Sequence, residues 1–170
     1  MTQYEFVFGF FSMLVALMFG RVVNTFSQLD RKSADVDHAG WLFAMTLGLV
    51  LAYWNYWTED QELSGFLEYI AVLIPGAFVV YVISLLTPSG KVENWGDHFR
   101  SVRQRFFIAY SLVWISDMAF DWLTDQDFLF NIVPISIGLI GAIWNNNIVH
   151  RVLLAILIGL MVLAVIGQLS

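Results

Sequence analysis

The segment that decides the fold is RSVRQRFFIAYSLVWISDMAFDW, residues 100–122. Three of its first six residues are arginines, and an uncharged stretch, residues 106–116, follows them. Asp117 and Asp121 then lie four residues apart, which is about one turn of a helix. The segment therefore predicts a helix with a cationic foot and two carboxylates in its other half.

The length of the uncharged stretch determines how deep these carboxylates lie. Its eleven residues cover only ~16 Å at ~1.5 Å per residue. A membrane-spanning helix must cross ~30 Å of hydrocarbon. If this helix spans a membrane, Asp117 therefore lies at membrane depth.

The composition of the 170-residue chain is that of a membrane protein. Apolar residues make up 59% and charged residues 13%, against about 45–50% and about 25% in soluble domains. The absence of cysteine excludes disulfides, thiolate metal sites and cysteine nucleophiles. The net charge of −6 argues against nucleic acid as a partner, because nucleic-acid binding requires a basic face.

Six apolar runs approach the length that spans a bilayer. The runs are Phe6–Val23, Gly40–Trp57, Phe66–Leu86, Phe106–Leu123, Phe128–Trp144 and Val152–Leu169. No repeat or long linker divides the chain. We therefore predict an all-α fold, a polytopic integral membrane bundle of six transmembrane helices that forms a single domain, residues 1–170.

The connectors between these runs separate positive from negative charge. All eight basic residues fall on one side of the predicted bundle: Arg21, Arg31, Lys32, Lys91, Arg100, Arg103, Arg105 and Arg151. The alternate connectors, residues 58–65 and 124–127, carry only acidic charges. By the positive-inside rule the basic side is cytoplasmic, so six spans place both termini outside the cytoplasm.

The segment between the third and fourth runs predicts a further element. Trp95, Phe99 and Val102 recur at helical spacing beside three arginines. This pattern is typical of a short helix that lies in the membrane interface, with its arginines toward anionic lipid. We therefore predict a short interfacial helix before the fourth span.

A stripe of small residues marks the second run. Gly40, Ala44 and Gly48 are each four residues apart, and such a stripe allows two helices to approach closely. The partner helix could belong to the same bundle or to another subunit. We predict a homo-oligomer, with membrane lipids as partners and a protein partner as a further possibility.

The acidic candidate site contains residues from four runs. Counted at ~1.5 Å per residue, Asp117 lies ~18 Å and Asp121 ~24 Å above the basic foot, and Glu5 and Asn55 lie at ~22–24 Å. Glu68 lies slightly further out. Burying such charges is costly, so the site must hold water, a proton or a cation. The alternative is that the fourth span starts late, which would make both aspartates ordinary interfacial charges.

Two prolines fall in the same half of the predicted bundle. Pro75 and Pro134 each lie six or seven residues from the outer end of a run. A proline inside a helix frees the carbonyl four residues earlier, here that of Ala71 or Phe130. Freed carbonyls at this depth are candidate ligands for a hard cation.

The basic side carries two weaker candidates. His38, His98 and His150 could bind a metal or a haem, but they are also common at membrane interfaces, and no histidine-rich metal motif is present. Four arginines could contact lipid headgroups: Arg21, Arg100, Arg103 and Arg105. Three of them, Arg21, Arg103 and Arg105, could form a pocket for an anion or a headgroup together with Asn24 and Asn145–Asn147. The alternative is that the arginines record only the topology and the asparagines cap helix ends. We predict no metal and no cofactor.

These patterns favour a cation or proton channel or transporter that is not an enzyme. In this interpretation Asp117 carries the ion or proton, Asp121 is its partner, and Glu5, Asn55 and Glu68 form the outer vestibule. The alternative is a non-catalytic membrane subunit or sensor that binds a protein partner or lipid. A lipid-modifying or metal enzyme is a third alternative.

The chain also resembles a widespread group of small, uncharacterised bacterial membrane proteins. The shared features are Arg21 at the end of the first helix, Trp41 and the aromatic segment 53–57 in the second, and His98 followed by the basic-aromatic residues 105–107. The resemblance covers about the first two-thirds of the chain. It implies a bacterial inner-membrane protein and no particular activity.

Overall fold

The computed structural model describes residues 3–29, 34–58, 66–123 and 129–169. These residues form six α-helices and one 3-10 turn, with no β-strand among them, which confirms the all-α prediction. The helices are α1 (Gln3–Gln28), α2 (Val36–Thr58), α3 (Phe66–Leu86), α4 (Trp95–Leu123), α5 (Ile132–Ile143) and α6 (Asn147–Leu169). The 3-10 turn, Leu129–Asn131, directly precedes α5.

Three helical segments are long and apolar enough to cross a membrane: Phe8–Gln28, Val36–Trp54 and Asn147–Ile166. Two further apolar segments, Leu73–Leu86 and Leu129–Ile143, are shorter. Large apolar side chains such as Leu17 and Leu163 are exposed on α1 and α6. This exposure is typical of helices whose outer surfaces face lipid. Six membrane spans remain a prediction.

Contacts between helix ends fix the relative directions of neighbouring helices. Arg151, near the start of α6, donates from Nε to Asp37 Oδ1 at the start of α2, at 2.8 Å. His38 of α2 donates from Nε2 to the carbonyl oxygen of Leu86, the last residue of α3, at 2.9 Å. Arg103 of α4 contacts the α5–α6 connection. These residues define what we call the basic end of the bundle.

The opposite end brings together the other ends of the same helices. Asp121, near the end of α4, contacts Asn131 just before α5, and we call this the acidic end. Ser12 of α1 and Tyr53 of α2 approach within 3.4 Å between their hydroxyl oxygens. Helices that follow one another along the chain therefore alternate in direction, as the segregation of charge along the sequence predicts.

Helix α4 is the central element of the bundle. It packs most extensively against α3 and α5, and its 29 residues extend about 43 Å. The prediction of a separate interfacial helix is wrong, because α4 runs without a break from Trp95. The side chain of Asn94 starts it by accepting hydrogen bonds from the N–H groups of Gly96 and Asp97, at 2.9 and 3.1 Å.

The predicted face of this first part of α4 exists, but it faces protein. Trp95, Phe99 and Val102 are only 1%, 3% and 6% exposed. They share one side of the helix because residues at i, i+4 and i+7 do so. The periodicity thus identified a buried face, and the bundle covers it in place of the membrane interface.

Glycines in α5 allow α4 and α5 to pack closely. A Cβ atom added at Gly141 would lie 2.5 Å from the ring of Phe107, and one at Gly138 would lie 2.9 Å from the Phe107 carbonyl oxygen. Both distances are below van der Waals contact, so a side chain cannot enter without a shift of α4. These two glycines therefore bring the backbones of α4 and α5 together.

The small-residue stripe of α2 packs inside the same bundle. A Cβ at Gly40 would lie 2.5 Å from Leu154, one at Gly48 would lie 3.1 Å from Met161, and Ala44 is fully buried. Leu154 and Met161 both belong to α6. Since α6 covers the stripe, it is not available as a contact between subunits.

A cluster of aromatic rings fills the half of the bundle nearest the basic end. Trp41 of α2 makes edge contacts with Phe106 and Phe107 of α4, at centroid distances of 5.6 and 4.9 Å. All three side chains are fully buried. Close packing of this kind holds membrane helices together, because lipid is as apolar as the side chains themselves. We call Trp41, Phe99, Phe106, Phe107 and Tyr110 the ring cluster.

Candidate functional site

The acidic end of α4 contains the two predicted carboxylates in a half-buried position. Asp117 and Asp121 lie one turn apart near the end of the helix. The side-chain amide of Asn131 donates a hydrogen bond from Nδ2 to Asp121 Oδ2, at 2.7 Å. Asn131 is itself only 4% exposed. A buried amide therefore fixes the carboxylate of Asp121 from a neighbouring element.

The local structure explains why Asn131 is free to make this contact. It occupies the position just before α5, where an asparagine side chain often accepts a hydrogen bond from the first turn. Here its backbone has helical dihedral angles and its side chain caps nothing in α5. The amide instead points to α4 and ties the start of α5 to the end of α4.

The face of α4 that carries the aspartates continues toward the ring cluster. Tyr110 and Trp114 are in edge contact, with ring centroids 6.3 Å apart, and Asp117 and Asp121 follow at helical spacing. Tyr110 is buried and Trp114 is half-buried. One side of α4 therefore passes from packed rings to carboxylates toward the acidic end.

The side chains of the three predicted vestibule residues lie outside the described part of the structure. Glu5, Asn55 and Glu68 belong to α1, α2 and α3. Their convergence with Asp117 and Asp121 stays a prediction. The same applies to the acidic connectors, residues 59–65 and 124–128.

The two prolines have different positions in the structure. Pro75 lies inside α3, as predicted, and is buried. Pro134 is the third residue of α5, where the backbone N–H would have no intrahelical acceptor in any case. The prediction that Pro134 frees the carbonyl of Phe130 within a span is therefore wrong, because that carbonyl precedes the helix.

The histidines of α2 and α4 bind backbone carbonyls at the end of α3. His38 bonds to Leu86, and His98 donates from Nε2 to the carbonyl oxygen of Leu85, also at 2.9 Å. The last carbonyls of a helix lack intrahelical donors, so these two side chains satisfy them. Among the described residues no group of three or more histidine, cysteine and acidic side chains is arranged to hold a metal ion.

The predicted arginines do not form one cluster. Arg21 and Arg105 are exposed. Arg100, also exposed, forms an ion pair with Asp97 at 2.5 Å, and the hydrogen bond from this pair raises the pKa of Arg100. Arg103 is half-buried and donates instead to Asn145 Oδ1.

Some contacts of these sites were not predicted from the sequence. Asn131 contacts Asp121 of α4 from the start of α5. Asn145 was predicted beside Arg103, and the structure places these two side chains in contact. Asp37, only 4% exposed, pairs with Arg151 across α2 and α6. For Asn131 the signal in the sequence is its position beside an apolar helix, which places it at the end of that helix.

Comparison with known proteins adds no relative. No family model, no curated protein and no solved structure matches the chain. The resemblance to small bacterial membrane proteins therefore stays a prediction.

Proposed function

We propose that the chain is a cation or proton channel or transporter of a bacterial plasma membrane, with its binding site at the acidic end of α4. Six helices would cross the membrane, and both termini would lie outside the cytoplasm. The observation that carries this proposal is the half-buried carboxylate of Asp121, held by the buried amide of Asn131 one turn from Asp117.

The chemistry of this arrangement favours a positively charged ligand. Two carboxylates one helical turn apart repel each other, and partial burial strengthens the repulsion. The Asn131 amide stabilises the charge on Asp121 but carries no charge that would neutralise it. A proton or a small cation would relieve the repulsion, so it is the ligand that this end of α4 is suited to bind.

The position of Asn131 gives ligand binding a structural consequence. A cation or proton on Asp121 would compete with the amide for the carboxylate oxygens and weaken the link between α4 and α5. Because Gly138 and Gly141 let α5 pack closely on α4, a change at the start of α5 would be transmitted along this contact. Occupancy of the acidic end would therefore be coupled to the packing of α5.

The ring cluster determines where a conduction route would run. Trp41, Phe106 and Phe107 are fully buried in the half of the bundle between the aspartates and the basic end. A route through the centre of one bundle would have to displace these rings. Conduction would therefore require a path between subunits, which is why we propose a homo-oligomer.

The same packed half supports a second candidate function. A bundle that binds a cation at one end and is filled at the other could act as a non-catalytic membrane subunit or sensor. Its contact with a protein partner would not use the α2 stripe, because α6 covers Gly40 and Gly48.

Flux measurements distinguish these two functions. Wild type, Asp117→Asn and Asp97→Asn would be reconstituted into liposomes, and movement of H⁺, Na⁺ and K⁺ would be followed under gradients of both polarities. Asp97 is a matched control, because it is an exposed acid at the other end of α4. Flux in wild type and Asp97→Asn that is lost in Asp117→Asn supports the channel or transporter. The absence of flux from folded wild type contradicts it and favours the subunit.

A further inference from the structure

The basic end contains a cation whose environment differs from that of its neighbours. Arg100 is paired with Asp97, and Arg151 is paired with Asp37. Arg103 has no carboxylate within ion-pair distance among the residues that the structure describes. Its side-chain partners there are the neutral Asn145 and His150.

The geometry around Arg103 leaves hydrogen-bonding capacity unused. Its Nη1 atom donates to Asn145 Oδ1 and lies 3.5 Å from His150 Nε2. Its Nε atom is buried and has no acceptor among the described residues. A guanidinium has five N–H groups in a planar fork that matches the oxygens of a phosphate. The residues that the structure describes therefore satisfy the fork of Arg103 only in part.

The protein holds this guanidinium in place. His150 is 1% exposed and stacks on Phe107 of the ring cluster, with centroids 5.0 Å apart. Desolvation lowers the pKa of Arg103, since partial burial disfavours the charged form. An anion bound to the guanidinium would offset this cost.

We propose that Arg103, with Asn145 and His150 beside it, forms a binding site for a phosphate anion at the basic end. This inference does not depend on the carboxylates of the acidic end. It also selects Arg103 from the four arginines that are predicted to contact lipid. Arg103 is half-buried, whereas Arg100 is paired with a carboxylate and Arg21 and Arg105 are exposed.

The apolar residues around the site indicate how a phosphate would reach it. Ile143, Trp144 and Ile148 are exposed at the ends of α5 and α6, next to Asn145. A cation beside exposed apolar side chains and a tryptophan is the arrangement found at the headgroup level of a bilayer. A phospholipid would place its phosphate on Arg103 and its acyl chains along α5 and α6, whereas free phosphate would use Arg103 alone.

The introduction of a negative charge at Asn145 provides a test that keeps the protein folded. Asn145→Asp places a carboxylate where Arg103 already donates a hydrogen bond, so it preserves the contact while it neutralises the cation. Asn146→Asp is the matched control. It adds the same charge one residue further on, where the Asn146 side chain caps the N–H of Ile148, and aspartate caps as well as asparagine. Arg103→Gln removes the cation directly.

The measurement is the stabilisation of the full-length protein in detergent by added ligand, since a ligand of the native state raises the unfolding midpoint. Phosphatidylglycerol would be compared with diacylglycerol, which lacks the phosphate, and inorganic phosphate with chloride at equal ionic strength. We expect Asn145→Asp to raise the concentration needed for half-maximal stabilisation by roughly tenfold or more. Asn146→Asp should behave as wild type.

The outcomes separate the two sources of phosphate. Stabilisation of wild type by phosphatidylglycerol but not by inorganic phosphate, lost in Asn145→Asp, identifies a lipid headgroup. Stabilisation by inorganic phosphate, lost in the same variant, identifies free phosphate. The proposal is overturned if neither ligand stabilises wild type, if Asn145→Asp and Arg103→Gln respond as wild type does, or if Asn146→Asp loses as much as Asn145→Asp.

Discussion

Asn131 holds the carboxylate of Asp121 across the gap between α5 and α4, with its Nδ2 atom 2.7 Å from Asp121 Oδ2. One residue is almost fully buried and the other half-buried. The hydrogen bond is charge-assisted, so it is stronger than a bond between two neutral groups. It joins the site that we propose for cation binding to α5, which packs closely on α4 at Gly138 and Gly141.

Replacement of Asn131 by alanine tests this link. The change leaves the Asp121 carboxylate without its amide donor, and we expect a loss of about 1–3 kcal/mol in the free energy of unfolding. Denaturant unfolding in mixed micelles measures this loss. Ser136→Ala is the control, since Ser136 is exposed on α5 and bonds within its own helix.

The α4–α5 contact predicts that Gly141 tolerates no side chain. Gly141→Ala would force a methyl group against the fully buried ring of Phe107, and overpacking of this kind costs about 1–3 kcal/mol. Gly159→Ala in α6 provides the comparison, because no heavy atom lies within 4 Å of a Cβ built there. Thermal unfolding of both variants checks the expectation. Equal stability of the two would contradict the close approach of α5 to α4.

The two histidines that donate to carbonyl oxygens at the end of α3, His38 and His98, should contribute unequally to stability. His38→Phe keeps a ring stacked on Trp95 but removes the donor to the Leu86 carbonyl. Because His38 is fully buried, water cannot replace the donor, and we expect a loss of about 1–3 kcal/mol. His98→Phe should cost less, since His98 is half-buried. The unfolding midpoints of the two variants measure this difference. His38→Phe should have the lower midpoint, and a lower midpoint for His98→Phe would contradict the assigned roles.

The sequence predicts where the helices lie along the chain better than it predicts what covers each helix face. The 3.6-residue period placed Trp95, Phe99 and Val102 on one face, and the segregation of charge predicted helices of alternating direction. The period could not say whether lipid or protein covers a face, because both are apolar. For that reason the period predicts an interfacial helix where the structure has a buried part of α4.

Contacts between helices depend on how each helix is rotated, and the sequence carries little information about rotation. The stripe of Gly40, Ala44 and Gly48 predicted a close contact but not that α6 would fill it. Gly138 and Gly141 are three residues apart, and their role depends on the position of Phe107, which packs against them from α4. The contact of Asn131 is not predicted for the same reason, since its partner lies on another helix.

The central claim is that the acidic end of α4 binds a proton or a small cation in the folded protein. The most direct measurement is the unfolding midpoint of the purified protein when a large organic cation is exchanged for Na⁺, K⁺ or H⁺ at constant ionic strength, because a ligand stabilises the state that binds it. We predict that at least one of these ions raises the midpoint of wild type and of Asp97→Asn but not that of Asp117→Asn. A wild-type midpoint that is the same in every ion, or an equal rise in Asp117→Asn, would contradict the claim.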